Sequence, residues 1–458
     1  MGKDSTEVRS AQRQLKPDTD GLDTLEPTSL RGIAKRASAQ KDHRFRNLYG
    51  EINGEMLRIA FGELNPKASA GIDGETYENY KADLNVRIDD LLERLKQKRY
   101  RAKLVRRVLI PKGNNQTRSL GIPVLEDKIV QRAAAKLLSA IYEQDFIDTS
   151  YGYRPKRSAK GAIEDLTFNL QYGTYGYIVE ADIKGFFDKL DHEWLIKMLE
   201  HRIDDRAFIT LIRKWLKAGV LDTDGMVIHP ETGTPQGGII SPVLANIYLH
   251  YALDQWFEKR VKKNGKGKAF ISRYADDFVC GFQHKSDAKL FYGALRTRLK
   301  QFSLEIAPEK TALHRFSRFS PSENRRDSFV YLGFELWWGW SAKGEPKVHR
   351  RTAPKKQRAA EKRIRDWIKV SRHLSREEFV GGLKSRLQGH YNYYGVKGNI
   401  NGVYRFYEQA LEQMFKWLNR RGGKRKSFTW KQFKRALPHM GFPVPCVKPW
   451  FYAYVVFN

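Results

Sequence analysis

The segment Ala269-Phe270-Ile271-Ser272-Arg273-Tyr274-Ala275-Asp276-Asp277-Phe278-Val279-Cys280-Gly281-Phe282 constrains this chain more than any other. Two apolar runs, 269–274 and 278–282, flank adjacent carboxylates, which predicts a tight β-hairpin with Asp276 and Asp277 at its tip. Carboxylates placed between apolar strands are costly, because each desolvated charge needs a compensating partner. A divalent cation is one such partner; a plain solvated turn is the other reading. A second acidic site, Val179-Glu180-Ala181-Asp182, puts Asp182 at the end of a short strand expected over residues 177–182. Phosphoryl transfer gives such carboxylates a use. Two Mg²⁺ ions about 3.5–4 Å apart can clamp the attacking and leaving oxygens of an in-line displacement. Magnesium favours carboxylate oxygens together with phosphate and water. Asp182 can bridge both ions, Asp276 can join it, and Asp277 can add charge behind them.

Charge points the same way. The 458 residues carry 83 Lys and Arg against 52 Asp and Glu, a net +31. A hydrophobic fraction of 41% excludes a wholly disordered polybasic chain. Two cysteines exclude a disulfide scaffold and any zinc site built from two cysteine pairs. No apolar run approaches the ~18 residues of a membrane span, and the polar start Met1-Gly2-Lys3-Asp4-Ser5 is not a secretory signal. A cytoplasmic, globular protein without a membrane partner is expected, with a polyanion as its natural partner.

Residues 341–458 hold 27 Lys and Arg against 7 Asp and Glu, an excess of +20. Aromatics are threaded among them: Trp367, Tyr391, Tyr393, Tyr394, Tyr404, Tyr407, Trp417 and Trp430. Cations beside rings that can stack suit a nucleic-acid surface, although charge runs also decorate solvated helix faces.

Along the chain, residues 1–40 read as a polar, disordered extension. Residues 45–61 allow a helix of irregular spacing. Residues 106–111 read as a strand ended by Pro111, followed by a turn over 113–116 into a second strand. Residues 126–146 have helical spacing, and a helix is expected after His192. Past Trp340 the pattern reads as helical throughout, with Pro354 opening the first helix. This gives an α+β body over 41–340, a basic helical domain over 341–440 and a tail over 441–458.

Residues 270–282, 182–187 and the run Gly233-Thr234-Pro235-Gln236-Gly237-Gly238-Ile239-Ile240-Ser241-Pro242 resemble the polymerase motifs of group II intron-encoded reverse transcriptases, the reverse transcriptase/maturase family. Residues 107–123, 150–155, 308–311 and 331–334 match further motifs in the family's order, and 389–394 resembles its maturase or thumb segment. The resemblance implies a right-hand polymerase, with fingers and palm built on an antiparallel palm sheet, followed by a basic α-helical thumb/maturase domain.

Asp182 and Asp276 would then ligate two Mg²⁺ ions, for which Mn²⁺ can substitute, with the Ile183 carbonyl assisting and Asp277 supporting. Phe187 would lie below the incoming sugar and exclude a 2′-hydroxyl. Lys112 and Arg118 would hold the triphosphate by charge-assisted bonds. Gln236 would sit under the sugar and base, and Lys310 would serve as a cation or general acid at the leaving pyrophosphate. Tyr274 would pack against the primer end. Lys355, Lys356, Arg358, Lys362, Arg363, Lys424, Arg425 and Lys426 would contact RNA.

The expected function is RNA-directed DNA synthesis from deoxynucleoside triphosphates, on a DNA or RNA primer and an RNA template, with binding of the parent intron RNA to assist splicing and mobility. A maturase with incidental polymerase activity is the binding-class alternative, against which the intact set Asp182, Asp276, Asp277 and Gln236 argues. A host-domesticated enzyme, in phage defence or beside a CRISPR array, would carry the same motifs. An RNA-dependent RNA polymerase is disfavoured by Phe187. Cys446 is the only cysteine after the polymerase motifs, so the zinc-containing HNH endonuclease of many members is expected to be missing, as in the compact members.

Overall fold

The computed structural model describes residues 28–113, 116–234, 237–319, 327–420 and 429–447. Gln236, the basic trio Lys424, Arg425 and Lys426, residues 1–27 and the last part of the expected tail lie outside them. Eleven strands are described: β1 (Val105–Gly113), β2 (Gln116–Ile122), β3 (Tyr177–Asp182), β4 (Val220–Leu221), β5 (Val227–Ile228), β6 (Ala269–Tyr274), β7 (Asp277–Phe282), β8 (Ala312–Arg315), β9 (Phe329–Tyr331), β10 (Phe334–Trp340) and β11 (Pro346–Thr352). The chain divides into two compact units, Met1–Ile147 with Phe187–Tyr248, and Asp148–Phe186 with Leu249–Asn458.

The first unit is built on the helix Leu125–Tyr142. The expected stripe Ile129, Ala133, Leu137 and Ile141 is buried, and so are Val130, Ala134 and Leu138 on its other sides. Its polar residues are tolerated inside because they are bonded: Asp127 accepts from the Tyr100 hydroxyl and the Lys103 N–H, and Lys128 donates to the Ser69 carbonyl. The helix Thr28–Ala39 packs here through buried Leu30, Ala34 and Ala37. This corrects the expectation of disorder up to residue 40. The 4-then-3 spacing is helical, but two of the three apolar positions are alanines set among Arg and Lys, so the segment reads as polar. The helix expected over 45–61 is shorter, Gly54–Gly62, because Phe45 pairs with Ile203 and Asn53 caps the helix by accepting from the Met56 N–H.

One sheet of this unit has the order β2-β1-β4-β5. Pro111 does not end the first strand: β1 runs on to Gly113, and Pro111 pairs with Thr117 on β2. Only Val105 and Arg106 pair with β4, so β1 is an edge strand at Pro111, where a missing N–H costs the ladder nothing.

The second unit contains the four-stranded sheet β6-β7-β3-β8 and the three-stranded sheet β11-β10-β9. Ile178, Phe270 and Val279 share a core with Phe334, Leu336 and Trp338. The helices Pro354–Ser371, Arg376–Tyr394, Ile400–Asn419 and Trp430–Met440 bury a second core that includes Ile364, Ile368, Leu383, Leu387, Phe406 and Phe433. Ser375 and Thr429 each close a reciprocal capping box at a helix start, an arrangement typically worth about 1 kcal/mol.

The expectation of continuous helix past Trp340 is corrected. Residue 341 lies in a turn, where the Ser341 N–H donates to the Glu345 carbonyl, and β11 returns along β10 before any helix starts. Along β11, Val348, Arg350 and Thr352 share one face, and Arg350 is satisfied there by the Ile163 carbonyl and the Thr167 hydroxyl. A strand whose inward face includes an arginine hides its alternation. Among the described residues, no helix is long and apolar enough to cross a membrane.

Candidate active site

The second unit brings the two acidic motifs together by register alone. β3 and β7 are antiparallel neighbours, and Asp182 stands directly opposite Asp277. Opposed residues in such a ladder have Cβ atoms roughly 4.5–5.5 Å apart. Asp277 also pairs with Tyr274 across the hairpin. The two-residue turn is therefore Ala275-Asp276, and Asp277 is the first residue of β7 rather than part of the tip. Ala275 has a φ of 55°, a left-handed conformation uncommon outside glycine.

The motif over residues 150–155 buttresses this turn. The Tyr151 N–H donates to the Arg273 carbonyl at 2.8 Å, and the Arg273 N–H donates to the Thr149 carbonyl at 2.9 Å. Gly152 comes so close that a Cβ there would collide with the Ala275 backbone nitrogen. Only glycine fits that approach.

Ile183 forms an isolated bridge with Ile306. Its two bonds, Ala307 N–H to the Asp182 carbonyl and Lys184 N–H to the Glu305 carbonyl, leave the Ile183 carbonyl out of the pairing.

Electrostatics mark the same spot. Lys310 donates from Nζ to Asp182 Oδ2, and this bond raises the lysine above its ordinary value. Asp277 is pushed up to about 8, first by desolvation and then by the charges of Asp182, Glu180 and Asp276, with Lys310 opposing. Glu180 lies two residues before Asp182 on the same face of β3 and has His314 Nε2 at 3.4 Å. Glu180 carries no motif of its own, and its period-two spacing from Asp182 is the one signal in the sequence that puts it on this face.

A stability prediction follows from the raised carboxyl. An acid whose folded pKa lies above its unfolded value of about 4 favours folding fully below that value. The contribution is lost as pH rises through about 8. The melting temperature of the metal-free protein should therefore fall between about pH 5 and 8 more steeply than that of Asp277→Asn, and Mg²⁺ should reduce the difference. Equal slopes for the two proteins would mean that neither burial nor the neighbouring carboxylates raise Asp277.

Among the described residues, no three of His, Cys, Asp and Glu form a ready-made metal cage. Magnesium does not require one, because it is commonly held by one or two carboxylates with water and substrate phosphates. The cluster fits a divalent cation by its charge: Asp182, Glu180 and Asp276 all act on Asp277, and Lys310 opposes them.

Lys112, Arg118 and Phe187 belong to the first unit. Arg118 is exposed on β2 opposite Ile110, and Lys112 lies on β1. Phe187 is 7% exposed, and its carbonyl accepts from the Thr234 N–H at 2.8 Å. Gly233, with φ 86°, packs so closely that a Cβ would lie 2.9 Å from the Phe187 carbonyl oxygen, and Gly237, with φ 115°, packs against the Gly121 carbonyl. The flanks of Gln236 are thus held between the Phe187 turn and β2. In the second unit, Tyr274 packs partly on the core of Ile178 and Phe270. Lys355, Lys356, Arg358, Lys362 and Arg363 are exposed on their helix, away from its buried residues Ala360, Ile364 and Ile368.

Residues 110–336 match the family model described as reverse transcriptase (RNA-dependent DNA polymerase). Protein YkfC of Escherichia coli is 35% identical over 61% of this chain and 78% of its own length. The group II intron-encoded protein LtrA of Lactococcus lactis subsp. cremoris is 29% identical over 82% of this chain and 75% of its own. An uncharacterized protein in the cob intron of Schizosaccharomyces pombe is 39% identical over 46% of this chain and 26% of its own.

The chain belongs to the group II intron-encoded reverse transcriptase/maturase family. It is an RNA-directed DNA polymerase, of a class that works with divalent metal ions.

Proposed function

We propose that Asp182, Asp276 and Asp277 form the centre at which deoxynucleotides are joined to a primer on an RNA template, and that the protein also binds intron RNA to assist splicing and mobility. The observation that carries the first part is the register that sets Asp182 against Asp277. Two Mg²⁺ ions held there would stabilise charge on the attacking and leaving oxygens. Asp182, Asp276 and the Ile183 carbonyl are the ligands in this reading, and Asp277 supports them. Lys310, already on Asp182, holds a proton that it can pass to the departing pyrophosphate. Arg118 and Lys112 bind the triphosphate, Gln236 underlies the sugar and base, and Tyr274 supports the primer end.

Residues 41–340 act as fingers and palm in this account. The helices from Pro354 onward act as the thumb/maturase domain, with the exposed cations of the first helix on RNA. The splicing part is supported by similarity to a protein named as group II intron-encoded.

Phe187 supplies a test of substrate choice. Its ring is almost wholly enclosed and its backbone is tied to the Gly233-Thr234 loop, as suits a rigid floor beneath the sugar. Phe187→Ala should raise kcat/KM for a ribonucleotide relative to the matching deoxynucleotide. An unchanged ratio in a folded variant would make Phe187 a core residue only.

A further inference from the structure

We propose that Arg273 and Asp254 are positioning residues for the Ala275-Asp276 turn; this rests on the reading of Asp276 given above. Both side chains are fully buried. Arg273 donates from Nε to Asp254 Oδ1 at 2.8 Å and from Nη2 to Oδ2 at 2.6 Å. Its Nη1 donates to the Ala275 carbonyl at 3.1 Å.

A guanidinium is planar, so anchoring Nε and Nη2 on one carboxylate fixes the direction of Nη1. Here it is aimed at the carbonyl of the peptide that joins Ala275 to Asp276. That peptide follows the left-handed Ala275, a conformation that persists only where surroundings over-determine it. Asp254, for its part, closes a π-helical turn, His250–Asp254, and such turns are rare and frequent at functional sites.

Stability alone is a poor reason for this pair. A buried ion pair can usually be replaced by apolar residues of similar volume without loss of folding. What an apolar pair cannot supply is the directed N–H on the Ala275 carbonyl. Tyr151 and Gly152 hold the backbone of the same hairpin from the side. Arg273 therefore sets the orientation of the turn peptide, and through it the position of Asp276.

The test is Arg273→Met combined with Asp254→Leu, beside Arg273→Lys and Asp276→Ala, all in the full chain. The double variant should melt near wild type and bind RNA normally. It should lose about a hundredfold in kcat, the effect of a small misplacement of a reacting group, with KM for the deoxynucleotide changed by no more than about twofold. Arg273→Lys keeps a charge for Asp254 but cannot span both partners, so it should also fold and be slow. A folded double variant with wild-type kcat, or one whose loss lies in KM, overturns the inference. If the double variant does not fold, Arg273→Lys decides by the same readout. An active Asp276→Ala would remove the reading of the centre and this inference with it. An inactive Asp276→Ala beside a fast double variant removes the inference alone.

Discussion

Asp182→Ala and Asp276→Ala should each reduce DNA synthesis on an RNA template by about a thousandfold or more. Either change removes a carboxylate from a point where the chain concentrates negative charge. Stabilisation by a divalent ion is worth several kcal/mol in the transition state, and about 1.36 kcal/mol corresponds to each factor of ten. The two variants should differ in the metal-free protein. Asp182→Ala leaves Lys310 without its carboxylate partner, whereas Asp276→Ala leaves that ion pair intact. Asp182→Ala should therefore also lower the pKa of Lys310, because the Asp182 bond is the largest cause raising it. Primer extension with Mg²⁺ under single-turnover conditions measures the rates. Near wild-type extension by either variant would remove the carboxylate from the chemistry.

The second large effect concerns affinity. Alanine at Lys355, Lys356, Arg358, Lys362 and Arg363 together should remove up to five phosphate contacts. Each contact contributes about 0.9 to the log–log salt slope on duplex and about 0.7 on single strand, so the slope should flatten by up to roughly 3.5–4.5. All five side chains are exposed on one helix whose other side is anchored by Ile364 and Ile368, so the substitutions should spare folding. RNA binding measured across a salt series is the check. An unchanged affinity and slope would make these cations solvated surface.

The acidic hairpin was legible because its signal is local: apolar runs on either side of two carboxylates leave few alternatives. The meeting of Asp182 with Asp277 was not legible from spacing, since 94 intervening residues separate them and only the β3–β7 register joins them. Two-metal chemistry suggested that link, and the family resemblance strengthened it. Neither Arg273 nor Asp254 carries a signal of its own in the sequence; a buried pair is visible only once two separate segments are packed. Gly152 belonged to a matched motif, yet its reason, the closeness of the Ala275 backbone, is tertiary. The errors have physical causes too. Leu30, Ala34 and Ala37 make too small a stripe to stand out among charges, Pro111 looks like a terminator although it sits on an edge, and an arginine on the inner face of β11 hides its alternation.

One protein that carries both Asp276→Ala and Asp277→Ala separates polymerisation from RNA binding. DNA synthesis on a primed RNA template, the salt dependence of RNA binding and the rate of intron RNA splicing should be followed in the same preparation. Almost no DNA synthesis is expected, with an RNA affinity and salt slope like those of the unaltered protein and splicing assistance retained. Ready synthesis by this protein, or loss of RNA binding together with synthesis while the fold is intact, would contradict the proposed function.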